Sequence, residues 1–281
     1  MIENIVWFPG HMAKAKRKIK ETLPLVDMVI ELLDARLPIS SQNPDFLTLF
    51  NSKATLTLLT KSSLADKNET TYWINKLRAD GRNVIAIDCK TNSNMQKVTE
   101  EIKLILAEKI ARSEQRGMKN RALRCLVVGI TNVGKSTFIN TYTKTKKAKV
   151  EDRPGVTREN QWVSAQNGVE LLDTPGLLWH KFDDESIGIK LAAIGSIRDD
   201  ILDALSLSHS VLDILTKKYP HNLEERYKIK ILPEDTSLTL FDKIAKSRGF
   251  LKSGGIIDED RCAACILDEL RGGKIGTITL D

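Results

Sequence analysis

Eight consecutive residues, Gly129-Ile-Thr-Asn-Val-Gly-Lys-Ser136, restrict the choice of fold more than anything else in the 281-residue chain. They fit the pattern GxxxxGK[ST], follow an apolar stretch, Leu123 to Val128, that reads as a strand, and open a helical pattern over Lys135 to Thr143. A glycine-rich turn between strand and helix aims backbone N–H groups and a helix N-terminus at one point, which suits a chain of phosphates. In that setting Asn132, Val133, Gly134 and Thr137 form the cradle. Lys135 reaches the β- and γ-phosphates and the Ser136 hydroxyl ligates Mg²⁺. A chance glycine turn seldom also places Lys-Ser at the helix start.

Around this motif, short Val/Ile/Leu-rich stretches alternate with helical patterns, the sequence sign of a parallel sheet covered by helices. The expected strands are Met28 to Leu33, Thr55 to Leu59, Val84 to Ile87, Leu123 to Val128 and Glu170 to Leu172. The expected helices are Met12 to Thr22, Glu69 to Asp80, Met95 to Arg116 and Lys135 to Thr143. Past about Ile187 the strand signal disappears, and the pattern is helical almost to the end with breaks at Pro220, Pro233 and Gly254-Gly255. The expected fold class is therefore α/β. A mostly parallel P-loop domain of about six strands would span 1–180, and a smaller all-helical domain 187–281.

Two further motifs belong with the phosphate loop. Asp173-Thr-Pro-Gly176 closes the strand Glu170 to Leu172, so the Asp173 carboxylate would emerge beside the phosphates and hold Mg²⁺ through water. The Gly176 N–H could then meet the γ-phosphate and sense its loss. Between the two motifs, Arg153-Pro-Gly-Val-Thr157-Arg158 offers Thr157 as the loop threonine that completes the Mg²⁺ shell. No Asn-Lys-x-Asp base motif follows these elements. Upstream, however, the strand Thr55 to Leu59 ends in Thr60-Lys61-Ser62-Ser63, and the next strand ends in Asp88-Cys89-Lys90, where a second base-contacting loop would fall.

This order, base motif before phosphate motifs, resembles the circularly permuted GTPases, and the ribosome biogenesis GTPase A family in particular. The resemblance is carried by Trp7-Phe-Pro-Gly-His-Met12, Asp34-Ala-Arg36 with Pro38, Asn132-Val-Gly-Lys-Ser136, Asp152-Arg-Pro-Gly-Val-Thr157, Leu171-Leu-Asp-Thr-Pro-Gly176 and Ser253-Gly-Gly255. It implies a cytoplasmic assembly factor that binds GTP and GDP, docks on the large ribosomal subunit and its ribosomal RNA late in maturation, and hydrolyses GTP when stimulated there. It also implies that His11 positions the attacking water and that Asn132 ligates K⁺ beside the phosphates.

This chain departs from the family pattern in two places, and it lacks the glutamine that follows the DxxG turn in many switch GTPases. The base motif reads Thr60-Lys61-Ser62-Ser63, so a hydroxyl stands where a carboxylate would accept guanine N1–H and N2–H₂; Asp66, three positions on, is a conceivable substitute. Thr131 replaces a proline, with little expected effect. Leu177-Leu178 follow the DxxG turn, and apolar side chains cannot orient water.

The net charge of +6 is clumped in three runs: His11 to Lys20, Arg112 to Arg124 and Lys144 to Lys149. Such runs beside a phosphate-binding core favour a nucleic-acid partner, although any one of them could be a solvated helix face. Cys262 and Cys265 form a CxxC without a second pair, which argues against a zinc site. The absence of a secretory signal and of a long apolar run gives the expectation of a cytoplasmic protein that binds no membrane; a monomer is expected, although nothing in the sequence fixes the oligomeric state. Two other readings stay open. One is a non-catalytic RNA-binding factor with a structural nucleotide, and the other a purine-tolerant NTPase permitted by the altered base motif.

Overall fold

The structure, a computed structural model, describes residues 9–50, 53–118, 121–145, 161–165, 167–179, 182, 184–197 and 203–281. The chain divides into two compact units, with the break between residues 181 and 182.

The first unit is built on a six-stranded sheet. Its strands are β1 (Met28–Asp34), β2 (Ala54–Thr60), β3 (Asn83–Ala86), β4 (Leu123–Gly129), β5 (Gln161–Ser164) and β6 (Val169–Asp173). They lie in the order β3-β2-β1-β4-β6-β5, and every pairing is parallel except β5 with β6. All seven residues of β1 are buried, as expected of a central parallel strand covered on both faces. The four-residue β5 escaped the sequence pattern because it buries Val163 while exposing Trp162 at the sheet edge, too short an alternation to stand out.

Helix α1 (Pro9–Thr22) starts three residues earlier than its pattern suggested. Its Ile19 joins Leu23, Val26, Phe46, Phe50, Leu126, Val128 and Leu172 in one apolar cluster, while Lys14, Lys16, Arg17 and Lys20 face outward. Phe46 comes from the short α2 (Pro44–Leu49), unannounced in the sequence and capped by Asn43, whose side chain accepts from the Asp45 N–H. The pattern over Met95 to Arg116 breaks at Leu106 into α4 (Met95–Ile105) and α5 (Ala107–Gln115), with α3 (Lys67–Ala79) preceding both. Leu106 is buried and continues the apolar face of α4. By contrast α5 buries nothing and is tied down through Lys109, 2.6 Å from Asp27.

Glu31, at the centre of β1, is an ionisable group inside this core. Burial raises its pKa from 4.5 to about 7, against the weak opposing pull of Arg82 at 3.8 Å. The folded protein therefore keeps a proton that the unfolded chain has released, so this residue's contribution to stability falls as pH rises from 4.5 towards 7. Glu31→Gln should flatten that slope, worth about 3 kcal/mol over the window. Thermal midpoints of the two proteins from pH 5 to 8 read the difference directly. Parallel profiles would place the titration elsewhere.

In the second unit α8 (Ala204–Lys218) is central, with α7 (Glu185–Ala193), α10 (Ser237–Arg248) and α11 (Glu259–Arg271) packed around it and α9 (Pro220–Tyr227) following it. Its core takes Leu207, Val211 and Leu215 from α8, Leu240 and Ile244 from α10, and Ile266 and Leu270 from α11. Cys262 is buried there and Cys265 half-buried; burial pushes the Cys262 thiol up to about 12. Among the described residues no cluster of three or more His, Cys, Asp or Glu could hold a metal. Nor is any described helix long and apolar enough to cross a membrane.

Candidate nucleotide site

The parallel strands deliver their C-terminal ends to one edge of the sheet: Asp34 pairs with Thr60, Leu32 with Gly129, and Leu59 with Ala86. Ligands of open α/β sheets bind along such an edge. The phosphate loop turns there, with Asn132 at φ 56° and Gly134 at φ 101°, both left-handed. Helix α6 (Lys135–Thr143) begins at the next residue.

Lys135 is buried, and its Nζ donates to the Gly129 and Ile130 carbonyls at 3.2 and 2.6 Å. Burial lowers its pKa to about 8; Asp173 counteracts this and Lys61 adds to it. Gly176 presses against the same loop. A Cβ at that position would come within 2.8 Å of Thr131 Cα and 2.9 Å of Lys135 Nζ, so only glycine fits. The Leu177 N–H donates to the Gly129 carbonyl at 3.2 Å, and Leu177 and Leu178 are themselves buried. Their side chains belong to the core, in keeping with the absence of a water-orienting group here.

Ser136 Oγ stands 3.5 Å from Asp173 Oδ2. A hydroxyl and one carboxylate are hard oxygen donors, and two of them beside a phosphate chain suit Mg²⁺, which favours few protein ligands and completes its shell with phosphates and water.

The base motif lies next to the phosphate loop through β2 and is bonded to it. Thr60 Oγ1 donates to the Val133 carbonyl at 2.7 Å and faces the Leu33 carbonyl at 3.0 Å. Lys61, at φ 55°, donates from Nζ to the Asn132 carbonyl at 2.7 Å and pairs with Asp34 at 2.9 Å. Asp34 is fully buried and also takes Arg36 in a two-pronged pair, Nε to Oδ1 and Nη2 to Oδ2, each at 2.9 Å. Burial alone would raise its pKa, but the Arg36 and Lys61 charges hold it well below the usual carboxylate range.

Ser62 donates its N–H to the Ile87 carbonyl, and Ser63 meets Asp88 through both N–H and hydroxyl. Cys89 sits beside them with its thiol pushed up to about 11 by burial and by the Asp88 charge, so it is no reactive thiolate. Asp66 Oδ1 accepts from the Asn68 and Glu69 N–H groups as the N-cap of α3, a helix-capping role that competes with reaching towards a base. The side chain of His11 and all of Thr157 lie outside the described residues, while Thr137 is in the first turn of α6.

Sequence reasoning undervalued the Asp34–Arg36–Lys61 triad. A carboxylate ending a strand that is apolar except for Glu31, with arginine two residues on, was the available signal. Of the three basic runs, Arg121 pairs with Asp27 at 3.0 Å and Arg124 with Glu170 at 3.0 Å, so part of the second run braces the fold.

A phosphate loop, a DxxG glycine packed on it and a base loop bonded to its backbone, with the base strand earlier in the chain than the phosphate strand, define a circularly permuted P-loop GTPase fold. A family model described as 50S ribosome-binding GTPase matches residues 124–236. Ribosome biogenesis GTPase A of Bacillus cereus is 45% identical over 277 residues, 99% of this chain and 93% of that protein. Its counterpart in Priestia megaterium is 45% identical over 279 residues, 99% and 96% of the two chains. Among solved structures, GNP-bound YlqF from T. maritima superposes with a TM-score of 0.67 at 27% identity, covering 95% of this chain and 97% of that one. This chain belongs to the ribosome biogenesis GTPase A family.

Proposed function

We propose that this protein binds GTP at the 129–136 loop and hydrolyses it while acting as an assembly factor on the maturing large ribosomal subunit. The observation that carries the reading is the convergence of Lys135, Gly176 and the Thr60-Lys61 tethers on a single loop. In this reading the loop amides and Lys135 bind the β- and γ-phosphates, and Lys135 offsets the charge that develops as water attacks in line. Ser136 and Asp173, with Thr157, would hold Mg²⁺, which when bound neutralises phosphate charge. Asn132 is the candidate ligand for K⁺, and His11 positions the water once the ribosome arranges its segment. Gly176 N–H contacts the γ-phosphate and registers its loss, so that the GTP form docks and the GDP form leaves. The outward lysines of α1 supply part of the attraction to ribosomal RNA. We place the protein in the cytoplasm as a monomer.

The test is GTP turnover by the purified protein with and without large ribosomal subunits, in potassium and in sodium buffer. Turnover should rise at least about tenfold with subunits, more in potassium, and fall back to the basal rate in His11→Ala. Nucleotide binding with no turnover under any of these conditions would favour a non-catalytic factor that uses nucleotide structurally.

A further inference from the structure

The Ser63–Asp88 contact bears on base selection, an inference that rests on the GTP-binding reading of the site. Asp88 is 2% exposed, too deep to touch a base, whereas Ser63 is exposed at the end of the base loop. A carboxylate has about four acceptor positions. Those of Asp88 meet four donors: Ser63 N–H at 3.1 Å, Ser63 Oγ–H at 2.5 Å, Lys90 N–H at 2.8 Å and Thr91 N–H at 2.9 Å. The Lys90 and Thr91 bonds fix the carboxylate from below, so the Ser63 proton points inward. Ser63 Oγ then has only lone pairs to offer outward.

We infer that Asp88 is the positioning residue that keeps this site selective for guanine, by locking the Ser63 hydroxyl as an acceptor. Guanine presents N–H donors at N1 and N2 along this edge, and a locked acceptor receives one of them. Adenine presents the N1 lone pair and a C–H. To bond adenine N1, Ser63 would have to turn its proton outward and give up a charge-assisted bond to a buried carboxylate. The selectivity expected of a carboxylate at position 63 thus survives in weaker form, relayed through a hydroxyl. With one acceptor in place of two, the 2-amino group matters less, and inosine diphosphate should bind nearly as well as GDP.

Asp88→Asn inverts the arrangement. The amide oxygen keeps the Lys90 and Thr91 N–H bonds and the NH₂ group faces Ser63, whose backbone N–H loses its acceptor and whose hydroxyl must accept from the amide and turn its own proton outward. Affinities for GDP, ADP and inosine diphosphate are measured by competition against fluorescent GDP with Mg²⁺ and potassium. The wild-type protein should prefer GDP to ADP by a wide margin and distinguish GDP from inosine diphosphate by no more than about threefold. In Asp88→Asn the GDP-to-ADP ratio should fall by about tenfold or more. Ser63→Ala, which leaves the Asp88 bonds to the 90–91 backbone intact, should also lower it and guards against a folding defect in the first variant. Ser63→Asp alone should weaken GDP binding by setting two carboxylates together, and the exchange Ser63→Asp with Asp88→Ser should recover it. An unchanged ratio in both Asp88→Asn and Ser63→Ala would overturn the relay while leaving a guanine site. A wild-type protein that binds ADP as well as GDP would overturn the relay and the guanine reading together.

Discussion

Lys135→Met should weaken GTP binding by two to three orders of magnitude, about 3–4 kcal/mol, while leaving the protein folded. The methionine keeps the apolar stem in a buried slot and removes only the ammonium, whose Nζ spans the Gly129 and Ile130 carbonyls. A signature beyond affinity comes from its titration. In the free protein burial lowers the Lys135 pKa to about 8, and a polyphosphate beside the ammonium would raise it again. Nucleotide binding then takes up a proton in the range between these two values, so wild-type affinity should fall as pH climbs above about 8, by up to about tenfold per unit. The variant should lack that dependence. Calorimetric titrations at pH 7, 8 and 9, in buffers of different ionisation enthalpy, report both affinity and proton uptake. Near wild-type affinity in the variant, with the same pH profile, would remove Lys135 from the phosphate site.

How far this site could be read from the chain depends on whether its parts are local. The phosphate loop was legible because strand, glycines, lysine and serine are contiguous, and so was the Asp173 to Gly176 turn. Selection of the base loop at Thr60 to Ser63 rested on its place after an apolar strand. What it bonds to depended on β1 lying between β2 and β4, a sheet order that no local pattern states. That order puts Thr60 against the Val133 carbonyl and Lys61 against Asp34. The same limit explains the search for a lost carboxylate at Asp66, three residues away, when the residue that meets Ser63 is Asp88, on the neighbouring strand connection. Asp66 follows a helix-capping rule visible in the sequence, an acidic residue just before a helical run with Glu69 three positions on. Edge elements such as β5 and α2 were missed because so few of their residues are buried.

The Asp34 triad couples the fold to the site and should show it under substitution. Asp34→Asn leaves Arg36, 2% exposed, without its counter-charge, and turns an amide NH₂ towards either the guanidinium or Lys61. Breaking a buried pair from one side costs about 3–5 kcal/mol, because the remaining charge stays out of water. Urea unfolding at pH 7 should show a loss of that size. The pH profile separates charge from shape. Asp34 has its folded pKa depressed below the ordinary 3.8, so its stabilisation is present above that value and disappears as pH falls below it. The gap between wild type and variant should therefore narrow in acid. Lys61 supplies the link to function: freed from Asp34, it loses a contact that holds it against the Asn132 carbonyl, and nucleotide affinity should fall alongside stability. A second substitution decides between an unpaired charge and a lost scaffold. Asp34→Asn with Arg36→Met removes the buried cation and should recover much of the stability, as replacing a whole buried pair costs less than halving it. Nucleotide affinity should stay low in that double variant, because Lys61 still lacks its anchor. If affinity returns together with stability, Asp34 acts on the site only by keeping the sheet folded.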